Sequence, residues 1–477
     1  MALTFYFYDT ETSGIRPSSD RIMQFAGRRT GLDLVPIGEP DDILIQLHQD
    51  VLPDPYAVLI HGITPQQTLQ DGITEADFCR YFNDNIATPG TIFVGFNNVR
   101  FDDEFVRYTL YRNFYEPYEW QWKDNRSRWD ILDALRMMRA LRPSGIEWPF
   151  DNKGGPTVRL ESMTAANGIG HENAHTALAD VDATIAIAKL MKQSQPKLFD
   201  YLLNKRAKKD VAELVANDEV FLYTSGKYAG ETLKTTVVYP LLLHPKRDAT
   251  IVYDLRFDPT PFLSMNAEDL AIAWRLKRDE PGIRLPIKTL QHNRCPAIAP
   301  LSVLDAESKK RIAIDVDQIT KHAETLKNNP EFKNNVARAL GILDEQQEQL
   351  YLAVGDVDTQ LYQSFWNQNE KQQLHTIRSH APATLAELLP KIHNKRLQQL
   401  LPLYKARNYK EFLTPEEYDA YESYRSDKLY AGGPASIYTK FVTQLQQLSS
   451  QKPNAKTEYL LTELQLYAES ILPASCL

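Results

Sequence analysis

The amino-acid sequence predicts three units: an α/β region built on a mixed sheet over residues 1–195, a small β-rich region with a helical extension over 196–350, and an all-helical region over 351–477. Three observations predict this. Strand-like apolar runs alternate with helical periodicity up to about residue 195. Short β-branched runs divided by turn residues, such as Ser225-Gly226 and His244-Pro245, then take over. From about residue 355 onward Leu, Tyr and Phe recur at helical spacing, through Leu460, Leu461, Leu464 and Tyr467. A chain of 477 residues is also too long for one ordinary domain.

The first strand candidate is 4–9. Phe5, Tyr6, Phe7 and Tyr8 point alternately to opposite sides, so both faces of this strand need cover. Further strands are expected at 21–28, 43–47 and 91–96, and helices at 74–87, 101–112, 130–141, 159–167 and 175–192. Hairpins come first and helices follow, which predicts a mixed sheet with helices packed on it. Gln195-Pro196 marks a boundary, and the apolar run 198–203 carries ordered chain across it. In the middle region strands are expected at 219–224, 234–243, 250–255 and 285–290, with helix over 305–345.

Composition excludes several classes. With 43% hydrophobic and 24% charged residues the chain can bury real cores. No run of about 18 apolar residues predicts a membrane span. Nothing at the N-terminus reads as a secretory signal. Cys79, Cys295 and Cys476 are far apart and lack CxxC spacing, so a zinc site or disulfide framework is not expected and a reducing cytoplasm is. The net charge of −8 gives no bulk attraction to nucleic acid, and local distribution decides that question.

The chemistry-bearing residues begin where the first strand ends. Asp9 and Glu11 are two apart and point the same way on an extended chain. Two carboxylates aimed at one spot repel each other unless a cation lies between them. In the stretch TIFVGFNNVRFDDEF an apolar strand ends at Gly95, Asn97 and Asn98 turn, and a helix starts near Phe101 with Asp102 in its first turn. In HENAHTALADVDA, Asn173 is a fair helix cap, Ala177, Leu178, Val181 and Ile185 face a core, and Asp180 lies five residues after His175. Four carboxylates and a histidine thus come from three segments beside strand or helix ends. Carboxylate oxygens suit Mg²⁺ or Mn²⁺. Two such ions clamp the attacking and leaving oxygens of a phosphodiester, and a histidine can take the proton from water. No serine elbow, P-loop or dinucleotide fingerprint competes.

DTET at 9–12, NNVRFDDEF at 97–105 and HTALAD at 175–180 resemble the three exonuclease motifs of the DEDD superfamily, and the histidine five before the last Asp resembles its histidine subtype. FYDTETSG, YRNFYEPYEW, LRP at 141–143, ANGI and KARNY resemble the bacterial exodeoxyribonuclease I family. The resemblance implies an RNase H-like α/β exonuclease domain, an SH3-like β-rich middle domain and an all-α C-terminal domain, forming a clamp around single-stranded DNA. It implies that Asp9 holds two Mg²⁺ ions, with Mn²⁺ as a substitute. Glu11, Asp102 and Asp180 would complete the metal sites, His175 would be the general base, and Glu11 and Arg159 would contact substrate. Arg107, Tyr118, Trp122, Arg136 and Lys208 line up with strand-contacting positions, and Lys288 and Arg294 are similar cases. The family also binds the acidic tail of single-stranded-DNA-binding protein, and Arg142 and Tyr201 match that pocket. Its other basic positions fall near 215–220, where the acidic NDEV stands, so an altered pocket is expected.

Neighbouring residues are expected to do something else. Asp103 and Asp182 read as solvated surface, and Asp182 is about 200° around the helix from Asp180. His171 reads as a loop histidine. The aromatic run Tyr111, Phe114, Tyr115, Tyr118, Trp120 and Trp122 is part core. Interleaved with Arg107, Arg112, Lys123, Arg126 and Arg128, it also has the composition of a platform for unpaired bases. Pro117 breaks the helix there. Lys205, Arg206, Lys208 and Lys209 form a basic run that is usually a solvated face.

The reading is a monomeric, single-strand-specific 3′-to-5′ DNA exonuclease that releases 5′-mononucleotides and acts in DNA repair and recombination. Two alternatives stay open: another DEDD exonuclease, ribonuclease or proofreading, and a single-stranded-DNA-binding protein with a retired active site.

Overall fold

The structure, a computed structural model, describes residues 3–171, 176–217, 219–277, 279–352 and 355–473, with only the backbone of 348–352. The N-terminal sheet contains β1 (Thr4–Thr12), β2 (Ile22–Thr30), β3 (Asp41–Leu44), β4 (Thr91–Gly95) and β5 (Ser127–Asp130), in the order β3-β2-β1-β4-β5. The β3, β2 and β1 strands are antiparallel neighbours, whereas β1, β4 and β5 run parallel, which is the expected mixed sheet. Around it lie α1 (Pro55–His61), α2 (Pro65–Asp71), α3 (Glu75–Tyr81), α4 (Asp102–Arg112), α5 (Ile131–Leu141), α6 (Leu160–Ala166), α7 (Ala177–Ser194), α8 (Pro196–Asn204) and α9 (Lys208–Ala216).

The two-faced burial of β1 follows its period of two. Phe5 and Phe7 join Val94, Met138 and Val181 on one face. Tyr6 and Tyr8 join Phe25, Phe78, Phe93 and Phe105 on the other. The strand runs to Thr12, three residues beyond the expected end. β5 was not among the strand candidates because SRWD has no apolar run; its Arg128 and Asp130 are buried by partners rather than by hydrophobicity. The short α1 and α2 also went unforeseen. Each begins with Pro after a side-chain cap, Asp54 and Thr64, which is the physical signal for them. The expected helix at 74–87 ends early, and its last part winds as a wider turn over Phe82–Ile86.

The middle region is an antiparallel sheet of β6 (Phe221–Thr224), β7 (Thr235–Leu243), β8 (Ala249–Asp254), β9 (Ile287–Gln291) and β10 (Ala297–Pro300), in the order β10-β6-β7-β8-β9. Four of these strands fall on expected segments; β10 and the helix α10 (Ala267–Arg275) were not read from sequence. The helical extension is α11 (Ala306–Arg311), α12 (Val316–Lys327) and α13 (Pro330–Leu352). The C-terminal region is helical, with α14 (Gln368–Ser379), α15 (Lys395–Asn408), α16 (Pro415–Tyr430), α17 (Ile437–Ser449) and α18 (Ala455–Ser470). No described helix is long and apolar enough to cross a membrane. The described cysteines, Cys79 and Cys295, are buried and free.

Both accessory regions pack on the first. Leu135 and Met138 of α5 share one core with Leu222, Val237 and Tyr239 of the middle sheet. The helical region adds two apolar contacts, one around Tyr111, Phe114 and Tyr404, and one around Met23, Val58 and Leu464. Between them lies a buried charge network. Arg407 donates to Asp50 at 2.7 Å and to Asp358 at 2.7 and 2.9 Å, Arg21 donates to Asp358 at 2.7 Å, and Lys428 to Asp50 at 2.7 Å. Buried charges persist only when paired in this way, so the network fixes one docking geometry between distant chain segments.

Candidate active site

The site forms where the sheet divides. β4 pairs with β1 only from Thr4 to Phe7, while β2 follows β1 to Thr12. Beyond Phe7 one edge of β1 therefore has no strand beside it. β4 ends at Gly95, and Asn97 takes a left-handed conformation with φ 74° to turn the chain toward α4. This brings Asp102, in the first turn of α4, to the open edge. Its Oδ1 accepts from the Thr10 N–H at 3.1 Å and from the Thr10 hydroxyl at 2.6 Å. α7 buries Ala177, Val181 and Ile185 as expected and holds Asp180 in its first turn. Carboxylate oxygens of Asp9, Glu11 and Asp180 all lie within 4.8 Å of one another.

The electrostatics of this cluster are those of crowded anions. Burial, then Asp102, Glu11 and Asp180, push the Asp9 carboxyl well above the usual range. Burial, then Asp180 and Asp102, push Glu11 up to about 8. Burial raises Asp102 to about 7 even though the Thr10 hydroxyl bond acts against it. A fold that holds hard oxygen donors this close, against their repulsion, fits a divalent cation, whose charge reverses the sign of the interaction. The three-carboxylate cluster is a candidate metal-binding site.

Two expectations need correction. Asp103 is fully buried, not solvated: its carboxylate accepts from Tyr8 Oη and pairs with Arg128. Arg128 in turn donates to the Asn293 carbonyl of the middle region at 2.6 Å. Successive residues of a helix point about 100° apart, so Asp102 and Asp103, in the first turn of α4, serve different neighbours. His171 is a loop residue but not a bystander. Its Nε2 is 2.6 Å from Asp180 Oδ1, and its Nδ1 is 3.3 Å from Thr164 Oγ1. The candidate base His175 and the cap Asn173 lie outside the described residues. Asp182 does sit apart, half exposed and paired with Arg28 at 2.7 Å.

A cleft of about 840 Å³ opens over the carboxylates, with Asp9, Asp180, Arg159 and Arg136 on one side and Leu233 and Lys234 of the middle region on the other. Arg159 is exposed in it. Arg136 pairs with Asp133 at 2.6 Å and lies against Gly226, where a Cβ would meet its Nη1 at 2.8 Å. A side chain at 226 would displace that guanidinium. Arg139 shapes the loop before Arg159 by donating to the Thr157 and Pro149 carbonyls at 2.6 and 3.0 Å. Leu233, Lys234 and Arg139 were missed because no motif marks them.

The aromatic and basic residues divide as the mixed expectation allows. Tyr111, Phe114 and Trp120 are core. Arg112 and Arg128 belong to buried ion pairs with Glu75 and Asp103 rather than to an open platform. Arg107 is buried, bonded to Glu104 at 2.7 Å and Gln121 at 2.8 Å, with its guanidinium 5.7 Å from the Tyr118 ring centre. Tyr118 also packs edge-on to Phe365 at 5.4 Å. Trp122 and Phe365 are 61% and 79% exposed, which for aromatics this large leaves ring faces open to a ligand. Lys208 pairs with Asp248 at 2.6 Å, half exposed. Lys288 Nζ lies 4.3 Å from the Tyr228 ring centre. Arg142, at the end of α5, reaches Asp305 at 3.1 Å and the Val303 carbonyl at 2.8 Å. Tyr201 lies on α8, which packs against α5, and its buried hydroxyl has no hydrogen-bond partner among the described residues.

Family models match along the chain: one described as Exonuclease over residues 6–188, an Exonuclease I SH3-like domain over 206–341, and an Exonuclease I C-terminal domain over 355–471. Exodeoxyribonuclease I of Haemophilus influenzae is 37% identical over 477 residues, covering 98% of this chain and 99% of that protein. The solved structure of a moderately thermophilic exonuclease I from Methylocaldum szegediense superposes with a TM-score of 0.92 at 40% identity, covering 99% of this chain and all of that one. Escherichia coli exonuclease I in complex with a dA16 oligonucleotide gives 0.93 at 36% identity, over 98% of this chain and all of that one. These matches run through all three regions and not through the acidic cleft alone, so the chain belongs to the exodeoxyribonuclease I family.

Proposed function

We propose that this protein removes nucleotides one at a time from the free 3′ end of single-stranded DNA, releasing 5′-mononucleotides, in DNA repair and recombination. The observation that carries this reading is the convergence of the Asp9, Glu11 and Asp180 carboxylates, two of which, Asp9 and Asp180, line a cleft that residues of two domains share, with Asp102 close by. The chain would work as three units, 1–195, 196–350 and 351–477, as a monomer in the cytoplasm.

In this reading Asp9 would hold two Mg²⁺ ions, with Mn²⁺ as a substitute, and Glu11, Asp102 and Asp180 would complete their sites. When bound, such ions supply positive charge at the attacking and leaving oxygens of a phosphodiester. His175 takes the proton from the attacking water. Glu11 and the exposed Arg159 hold the terminal nucleotide in register. Arg107, Tyr118, Trp122, Arg136 and Lys208 guide the strand behind it, the aromatic rings by stacking and the cations by phosphate contact. In this reading the cleft shared between domains would admit one strand and be too narrow for a duplex. The E. coli relative solved with dA16 supports the choice of substrate. A solved SSB/Exonuclease I structure, 35% identical to this chain, supports single-stranded-DNA-binding protein as a second partner, and its acidic tail would dock at Arg142 and Tyr201.

The test is incubation with a 3′-labelled single-stranded DNA oligomer, with and without Mg²⁺, beside duplex and RNA controls. Labelled mononucleotide released from single-stranded DNA only, and only with Mg²⁺, is the expected result. A salt-sensitive gel shift without release would make the protein a binding module. Equal release from RNA would make it a ribonuclease of the same superfamily.

A further inference from the structure

The metal cluster gives no part to Thr10, the residue of DTET that sits between the two β1 carboxylates. Alternation assigns Thr10 to the strand face opposite Asp9 and Glu11. Yet Thr10 is 5% exposed and Asp102 4%, and they are joined by two bonds. The reason lies in the sheet. Once β4 leaves β1 after Phe7, the Thr10 N–H at that edge has lost its strand acceptor. A buried N–H without a partner is costly, so something must replace β4. Asp102 does so with Oδ1, and the Thr10 hydroxyl closes on that same oxygen at 2.6 Å.

Two donors on one oxygen restrain the carboxylate more than one does. They set its rotation about the Cβ–Cγ bond, which decides where Oδ2 points. The backbone N–H is common to every residue type except proline. The hydroxyl is not: among side chains of this size only Thr and Ser supply it. We propose that Thr10 is a positioning residue for the metal site, its hydroxyl pinning Oδ1 of Asp102 so that the carboxylate presents its other oxygen in one fixed direction. The inference rests on the metal reading above and adds a residue to it.

Outer partners of metal ligands are commonly worth on the order of 10-fold or more in metal affinity. Mn²⁺ binding to the DNA-free protein, followed by electron paramagnetic resonance, therefore gives a readout independent of turnover. Thr10→Val keeps the shape and the N–H and removes the hydroxyl. It is expected to weaken Mn²⁺ binding about 10-fold and to lower kcat at limiting metal, with KM for DNA within about twofold. Thr10→Ser is expected to restore both. Should Thr10→Val fail to fold, Thr10→Ala makes the same comparison. Unchanged Mn²⁺ affinity in a folded hydroxyl-free variant would overturn the proposal. So would a loss that Thr10→Ser does not repair, because it would trace to packing. Wild-type protein that bound no Mn²⁺ would overturn the metal reading itself, and the proposal with it.

Discussion

Arg294 of the middle domain donates to Glu104 Oε1 at 3.2 Å, and Glu104 stands two residues beyond Asp102 in the first turn of α4. The other oxygen of the same carboxylate accepts from Tyr362 of the helical domain. Arg107 binds both Glu104 and Tyr362, at 2.7 and 3.3 Å. One side chain thus joins all three domains two residues from Asp102. If these bonds keep the clamp closed on the strand, Glu104→Gln will shorten the run of nucleotides removed per encounter by about tenfold, roughly 1.4 kcal/mol, while the first cleavage stays near wild type. A labelled strand chased with excess unlabelled trap measures this. An unchanged run length would mean that closure depends on other contacts.

Asp9→Ala removes the carboxylate that Asp102, Glu11 and Asp180 all crowd. We expect cleavage to fall on the order of 10³-fold or more, because the carboxylate that the other three crowd would be lost from the proposed metal site. Strand binding in EDTA should stay within about threefold, since the aromatic and basic residues are untouched. Near-normal turnover in this variant would refute the metal assignment.

The crowded carboxyls predict a pH effect on stability without metal. Glu11 rises from an ordinary 4.5 to about 8 in the folded chain, chiefly through burial. Asp102 rises from 3.8 to about 7, again chiefly through burial. The folded state therefore keeps protons that the unfolded chain releases. This contribution is fully present below about pH 4 and is lost as the pH climbs toward 8. Melting temperature in EDTA should fall between pH 5 and 8, fall less in Glu11→Gln, and recover with a divalent cation. A wild-type curve no steeper than that of Glu11→Gln would contradict the assignment.

Asp103 and Asp182 should behave oppositely although both flank a site carboxylate. Asp103→Ala leaves the buried Arg128 without its carboxylate and the Tyr8 hydroxyl without its acceptor, a loss of about 3–5 kcal/mol by chemical denaturation. Asp182→Ala removes one exposed partner of Arg28 and should change stability by no more than about 0.5 kcal/mol. Equal effects would contradict the burial difference.

Arg142 is 37% exposed and its partner Asp305 51%, so the pair is weak and can open for an acidic peptide. Titrating the tail peptide of single-stranded-DNA-binding protein should show Arg142→Ala binding about tenfold more weakly, the loss of one charge-assisted contact. Unchanged affinity would remove Arg142 from the pocket.

What could be read directly was whatever chain geometry imposes locally. Alternation put Asp9 and Glu11 on one side of a two-faced strand. The first turn of a helix accounted for Asp102, and the apolar spacing of Ala177, Val181 and Ile185 aimed Asp180. The succession of a mixed α/β region and a β-rich region followed from hairpins, helices and turn residues. SRWD was illegible as a strand because its burial depends on partners, Asp103 for Arg128 and the capped Leu132 N–H for Asp130. His171 was illegible because nothing near it in sequence names Asp180 as its neighbour.

The sequence by itself determined the fold class, the acidic set and the family, because these rest on periodicities and motifs of a dozen residues or fewer. Only the tertiary structure decided that Asp103 is buried against Tyr8 and Arg128, that His171 touches Asp180, and why Thr10 turns to Asp102. Those choices depend on where β4 leaves β1 and on partners about 90 residues away along the chain. A buried polar group must find its partner in space, and no local rule of the chain says which one the fold will bring.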